Sequence, residues 1–285
     1  MPNTLDLRRR IRSVKNTRQI TKAMKMVAAA KLRRAQQRMI AARPYAAGLS
    51  TVLRSVAARV DAARHPLLAE REEHRVLLIV ISGDKGLAGA FNTNIFKATQ
   101  RLIAERHWEE VSVMPIGRKA ADFFKRRSYP VRHQPVHVFQ ALTVETAREL
   151  SGLIASDYIE DKVDAVYVIF TEFRSVISQV VRVNRLLPIP REEQETSAQL
   201  IDYLYEPSPE GILSDLLPRY LEFQIYRALL ESAAAEQGAR MTAMEAASKN
   251  ASEMIDSLTL SYNRIRQAAI TKEIIEIVSG AAAQD

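Results

Sequence analysis

The sequence has 285 residues, 47% apolar and 26% charged, with 9 glycines, 11 prolines and no cysteine. This composition excludes a disordered chain, a disulfide framework and a thiolate metal site, and so few helix breakers imply long helices. The net charge is +8, but residues 1–64 carry 16 Lys and Arg against 2 Asp and Glu, while the rest carry 25 against 31, so a basic arm is joined to a mildly acidic body.

Residues 3–43 contain neither Gly nor Pro, enough for roughly 60 Å of helix at ~1.5 Å per residue. Thr4 and Asp6 suit its amino-terminal end. Apolar or small residues recur at Leu7, Ile11, Val14, Ile20, Met24, Val27 and Ala28, set among Arg8, Arg9, Arg10, Arg12, Lys15, Arg18, Lys22 and Lys25. Pro44 and Gly48 should bend or interrupt this helix, and a second, from 49 to about 64, should stop near Pro66. The middle changes period. Strands are expected at 76–82, 111–116, 136–139, 163–170 and 175–187, with helices at 94–107, 119–126 and 144–156. The last two strands should form an antiparallel hairpin turned at 171–174. Alternating strands and helices predict a Rossmann-like α/β domain with a largely parallel sheet. Pro188, Pro190 and the charged run that follows read as an exposed connector, and Pro207, Pro209, Gly211 and Pro218 punctuate the return to helix.

From 239 to 279 there is again no Gly or Pro. Met241, Met244, Ser248, Ala251, Ile255, Leu258, Tyr262, Ile265 and Ala269 alternate spacings of three and four, a heptad seam that needs a partner helix. Residues 209–285 hold 7 basic and 11 acidic side chains, so charge favours the basic arm, with Leu7, Ile11 and Val14 facing the seam. A homodimeric coiled coil is the other arrangement such a seam permits. The expected fold is of the α/β class: a long antiparallel coiled coil of the N- and C-terminal helices plus the central Rossmann-like domain. Its parts are an N-terminal arm (1–66), the α/β domain (75–190), a connector (191–208) and a C-terminal arm (209–285).

Chemistry is sparse. The turn at 82–92 (SGDKGLAGAFN) spaces Gly83, Gly86 and Gly89 as G-x-x-G-x-x-G, which is neither the dinucleotide nor the P-loop pattern. It reads as a tight strand-to-helix turn or a subunit contact, with a phosphate cradle as the sharper alternative. Ser82 and Lys85 have acyl-enzyme spacing but lack the companion motifs. Pro135 lies between His133 and His137, which denies them the shared helix face that zinc ligands would use. Asp161 and Asp164 read as a solvated loop. No catalytic, cofactor or metal site emerges. Residues 1–44 contain no aromatic residue, so the basic arm offers no stacking platform for nucleic acid, and an acidic protein surface suits it better. The longest aliphatic run, 76–81, is too short to span a bilayer, and no apolar signal core follows Met1. A soluble product without a visible export signal is expected.

Three segments carry a family resemblance. Residues 7–32 (LRRRIRSVKNTRQITKAMKMVAAAKL), the turn at 82–92, and residues 240–251 (RMTAMEAASKNA) with 270–280 (ITKEIIEIVSG) resemble, in order, the signatures of the gamma subunit of F-type rotary ATP synthases, of the bacterial type. Ala88 stands where many relatives have Cys. The resemblance implies a non-catalytic rotor shaft without a cofactor, its coiled coil turning inside a ring of alpha and beta subunits. Its α/β domain would sit near the epsilon subunit and the c-subunit ring, on the cytoplasmic face of a bacterial plasma membrane. It also implies a shaft-to-ring contact at Met24, Lys25, Arg266, Gln267 and Thr271, and a foot contact at Tyr203 and Tyr205. A nucleotide-binding α/β enzyme with helical arms is the competing reading, and a basic coiled-coil binder of nucleic acid a third.

Overall fold

A computed structural model describes residues 4–57, 65–140, 142–190 and 208–282. The chain divides into two compact units, one of residues 1–28 with 241–285, the other of residues 29–240.

The larger unit is built on a four-stranded sheet of β1 (Arg75–Ile81), β2 (Glu110–Ile116), β3 (Ala165–Phe173) and β4 (Gln179–Leu187). The spatial order is β2-β1-β3-β4. β1 runs parallel to β2 and β3, and β4 is antiparallel to β3. Helices α2 (Phe91–Arg106), α3 (Arg118–Lys125) and α4 (Val144–Ile159) supply the crossovers. Strand alternation sorts the core. Leu77, Ile79, Ile81, Val166, Val168 and Phe170 share one cluster with Leu150 and Ile154 of α4 and with Leu217, Leu221 and Leu229. Val76, Leu78, Val80, Tyr167 and Ile169 share the other with Ile95 of α2 and Phe124 of α3. Both faces are covered, which is why these strands read as continuous apolar runs.

Two long helices complete the chain, α1 (Thr4–Ala57) and α5 (Pro209–Ala282). The interruption expected at Pro44 and Gly48 does not occur, since α1 runs through both, and Pro218, expected to punctuate the return to helix, lies inside α5. A proline removes one intrahelical bond at a cost of about 3 kcal/mol. Burial of Leu49 and Val56 after Pro44, and of Leu217 and Leu221 around Pro218, offsets that loss. Ser208 caps α5: its hydroxyl accepts the Gly211 N–H at 3.1 Å, and Pro209 follows at the position where its missing N–H does least harm. Gly238 is also helical, and a Cβ there would lie 3.2 Å from the Phe173 ring, so its smallness serves packing.

Two smaller expectations are corrected. Residues 136–139 form no strand but a turn closed by Gln140 N–H to His137 O, with His137 at φ 59°. The short apolar run mimicked a strand, yet only Val131 bridges to Val113 of β2. The hairpin turns at Arg174–Ser178, not 171–174, so β3 extends to Phe173.

Candidate functional site

The smaller unit is the helical pair. Arg8 Nη2 donates to the Tyr262 hydroxyl at 2.9 Å, and Lys25 Nζ meets Glu245 Oε1 at 2.6 Å. These contacts are seventeen residues apart on each helix and run in opposite directions, so the helices are antiparallel. Of the predicted seam, Leu7, Met244, Ala251 and Ile255 are buried, and Ile11, Val14, Met241, Leu258, Tyr262 and Ile265 are half-buried. The stripe on α1 differs from the reading of its large residues. Ile20 and Val27 are 60% and 56% exposed, while Thr21 and Ala28 are buried. The observed register follows heptad spacing through positions 7, 11, 14, 18, 21, 25 and 28, which brings small and polar residues inward. Thr21 Oγ1 satisfies itself on Arg18 O at 3.0 Å.

Among the residues expected to touch a catalytic ring, Met24 is half-buried, and the Lys25 ammonium is engaged by Glu245 within the pair. Arg266, Gln267 and Thr271 are exposed, with the Thr271 hydroxyl bonded to Gln267 O at 3.0 Å. Every residue from Arg266 to Ile277 is exposed, including Ile270, Ile274, Ile275 and Ile277, so the helix continues as an apolar-studded tip. Tyr203 and Tyr205, like most of the 191–208 connector, lie outside the described residues.

The glycine-rich turn at the carboxyl edge of β1 is engaged by the chain itself. Gly83 N–H donates to Asn92 Oδ1 at 2.9 Å, Arg118 N–H to Asp84 Oδ1 at 3.0 Å, and Ala120 N–H to the buried Ser82 Oγ at 2.8 Å. A Cβ at Gly117, whose φ is +89°, would fall 2.2 Å from Ser82 O, so this approach requires glycine. The crevice where a sheet of this kind receives a ligand is filled by α5. Ser232 Oγ accepts the Thr171 N–H, and Glu231 Oε2 the Phe173 N–H. Arg240 Nη2 donates to Gly86 O at 3.2 Å and to Glu236 Oε1 at 2.5 Å. The Glu236 carboxyl stands so close to Gly83 that a Cβ there would be 2.7 Å from it. The Glu236 carboxylate is thus spent on Arg240 against this turn, and Ser82 Oγ is already engaged by the Ala120 N–H. Sequence reasoning missed this row; the signal was Glu231, Ser232, Glu236 and Arg240 recurring at helical spacing in an alanine-rich stretch.

His133 and His137 diverge. The first bonds Asp157 Oδ2 at 2.7 Å and the second Gln140 Nε2 at 2.8 Å. Among the described residues no group of His, Cys, Asp or Glu is arranged to hold a metal. Asp164 is not solvated, as its polar context suggested, but buried. It accepts the backbone N–H, Nε and Nη2 of Arg75 at 2.7–3.2 Å, which fastens the start of β1 to β3. Asp161 pairs with Arg71 at 2.6 Å. The buried Tyr167 hydroxyl donates to Glu73 Oε1 at 2.7 Å; burial first, then that carboxylate, pushes the phenol up to about 12.

A family model described as ATP synthase matches residues 3–284. The ATP synthase gamma chain of Solibacter usitatus is 54% identical over 289 residues, covering the whole of both chains. That of an Anaeromyxobacter species is 51% identical over 288 residues and 99% of each. The chain belongs to the ATP synthase gamma-chain family. Gamma chains are the non-catalytic central-stalk subunits of the rotary ATP synthase. Among solved structures, a chain from the central stalk and c-ring of the Tetrahymena thermophila mitochondrial ATP synthase matches with a TM-score of 0.63 and 28% identity, over 80% of this chain and 99% of that one. A chain of the Euglena gracilis mitochondrial enzyme, in an assembly with F1 and the c-ring, matches with a TM-score of 0.72 over 99% and 94%. At 19% identity it bears on the fold alone. Among the described residues no helix is long and apolar enough to cross a membrane.

Proposed function

We propose that the antiparallel pair turns inside a ring of alternating alpha and beta subunits, and that its exposed tip and flank are the surfaces the ring reads. The single observation that carries this is the pairing of Arg8 with Tyr262 and Lys25 with Glu245, beyond which α5 is exposed from Arg266 to Ile277. Such a shaft has no threefold symmetry. Three like beta subunits therefore meet three different faces, and each is biased toward a different open or closed state by differential contact. Rotation permutes the faces and so couples ion flow through the c-subunit ring to ATP synthesis or hydrolysis.

The ring contact comprises Arg266, Gln267 and Thr271 on α5, with Met24 and Lys25 on α1. Exposure supports the first three. The Lys25 pair is a surface ion pair worth ~0–1 kcal/mol, little enough to be exchanged for a partner's carboxylate. The α/β body (75–190) and the segment around Tyr203 and Tyr205 face the epsilon subunit and the c-ring, at the cytoplasmic face of a bacterial plasma membrane; the bacterial relatives support that placement. A tagged chain should co-purify alpha and beta subunits. Replacing both Arg266 and Gln267 with Ala should weaken ATP-driven ion pumping while the isolated chain keeps its fold by circular dichroism. Equal loss of folding and coupling would refute the contact role.

A further inference from the structure

Between 228 and 240, α5 is buried on nearly all sides. A stretch so enclosed would ordinarily be apolar. Here it carries Glu236 and Arg240, both under 10% exposed and paired at 2.5 Å. Burying two charges is unfavourable unless geometry and further hydrogen bonds compensate, and apolar residues of the same volume would often do as well or better for stability. What the pair offers instead is position. Arg240 Nη2 also points at Gly86 O, at 3.2 Å, and Lys85 O, at 3.5 Å, and the Glu236 carboxyl stands in the space a Cβ on Gly83 would take. Because the two side chains stand one helical turn apart, a shift of α5 by one residue rotates them by ~100° and takes Arg240 off both carbonyls. One turn upstream of Glu236, Ser232 and Glu231 accept the N–H groups of Thr171 and Phe173 at the end of β3. The helix is thus pinned to two separate points on the carboxyl edge of the sheet.

We propose that Glu236 and Arg240 are positioning residues forming a register lock, which keeps α5 from turning or sliding in the α/β body when the shaft is under load. The inference rests on the rotor reading. In that reading torque enters through the body and leaves through the same helix, which is continuous to Ala282. A helix held only by apolar side chains can creep from one packing to the next. One held by directional bonds to backbone carbonyls has a single register.

The test uses the reconstituted ATP synthase in liposomes, reading ATP hydrolysis and ATP-driven ion pumping together. The unaltered chain must pump; if it does not, the rotor reading itself fails. Glu236→Ala with Arg240→Ala removes both charges at once. Hydrolysis should persist, while ions pumped per ATP fall at least about twofold, the low end of what substitutions along a coupling route do. A second variant guards against misfolding. A Cβ at position 83 would lie 3.4 Å from Glu236 Cγ, the atom a cysteine sulfur would replace, so a small adjustment brings the two side chains within reach of a cross-link. Gly83→Cys with Glu236→Cys should therefore pump poorly when reduced and recover the unaltered ratio when oxidised, in one preparation. A merely structural pair would not produce that reversible change in ratio. An unchanged ratio in the alanine variant, or no difference between reduced and oxidised forms, would overturn the lock.

Discussion

Asp164 accepts three N–H groups from Arg75, and because its carboxylate is buried those bonds must be made. They hold its carboxyl below the usual carboxylate value, against the opposing effect of burial. The unfolded chain therefore binds the proton more readily. The stabilisation is complete above the ordinary value of 3.8 and is lost as pH falls through the lower folded value. Asp164→Asn should cost about 1–3 kcal/mol in urea unfolding at neutral pH, with the loss shrinking toward acid pH; a loss independent of pH would contradict the pairing. Two histidines should titrate on opposite sides of 6.5. His65 accepts the Leu67 N–H through Nδ1, and burial lowers its pKa. His74 stands between Glu72 and Glu109, whose hydrogen bonds and charges raise its own. The His65 contribution holds above 6.5 and fades as pH falls toward its folded value. That of His74 holds below 6.5 and fades as pH rises through its folded value. Imidazole resonances followed by NMR would give this order, and the reverse order would refute both environments.

At the scale of elements, a pattern was legible where packing enforces one. The seam on α5 could be read because Met244, Ala251 and Ile255 are both apolar and inward. The stripe on α1 is half hidden in the sequence, since its inward positions include Thr21 and Ala28 while the larger Ile20 and Val27 face outward. Local propensity marks Pro44 and Pro218 as interruptions, yet tertiary burial on either side carries the helices through them. The four strands were legible and the false one at 136–139 was not, because a short apolar run says nothing about whether a neighbour is there to pair with. The plugged crevice was invisible for another reason: it joins Arg240 to Gly86 across 154 residues. Ile255→Pro, in the middle of the seam, should damage ATP hydrolysis coupled to pumping more than deletion of 276–285, since a proline inside a paired helix costs about 3 kcal/mol. Equal activity of the two assembled variants would contradict this.

For the whole molecule, the two units differ in what holds them. Residues 29–240 enclose two clusters against a sheet, whereas among the described residues the pair of 1–28 with 241–285 is held along its seam and by the Arg8–Tyr262 and Lys25–Glu245 contacts. Trp108, the one tryptophan, packs on Tyr167 at 5.4 Å and donates to Glu73 at 3.0 Å, so its emission reports the sheet-bearing unit. In the isolated chain, helical circular dichroism should begin to fall at lower urea than Trp108 emission changes. Coincident curves would mean that the chain unfolds as one cooperative block. The bare end of α5 sharpens the point. Most helical stability in proteins comes from packing, so before assembly the exposed backbone from Arg266 to Ile277 should trade hydrogen for deuterium faster than the paired stretch of the same helix. On the proposed ring contact, the rigidity that this end needs in service is lent by its surroundings, and the bearing stiffens the axle tip that it guides.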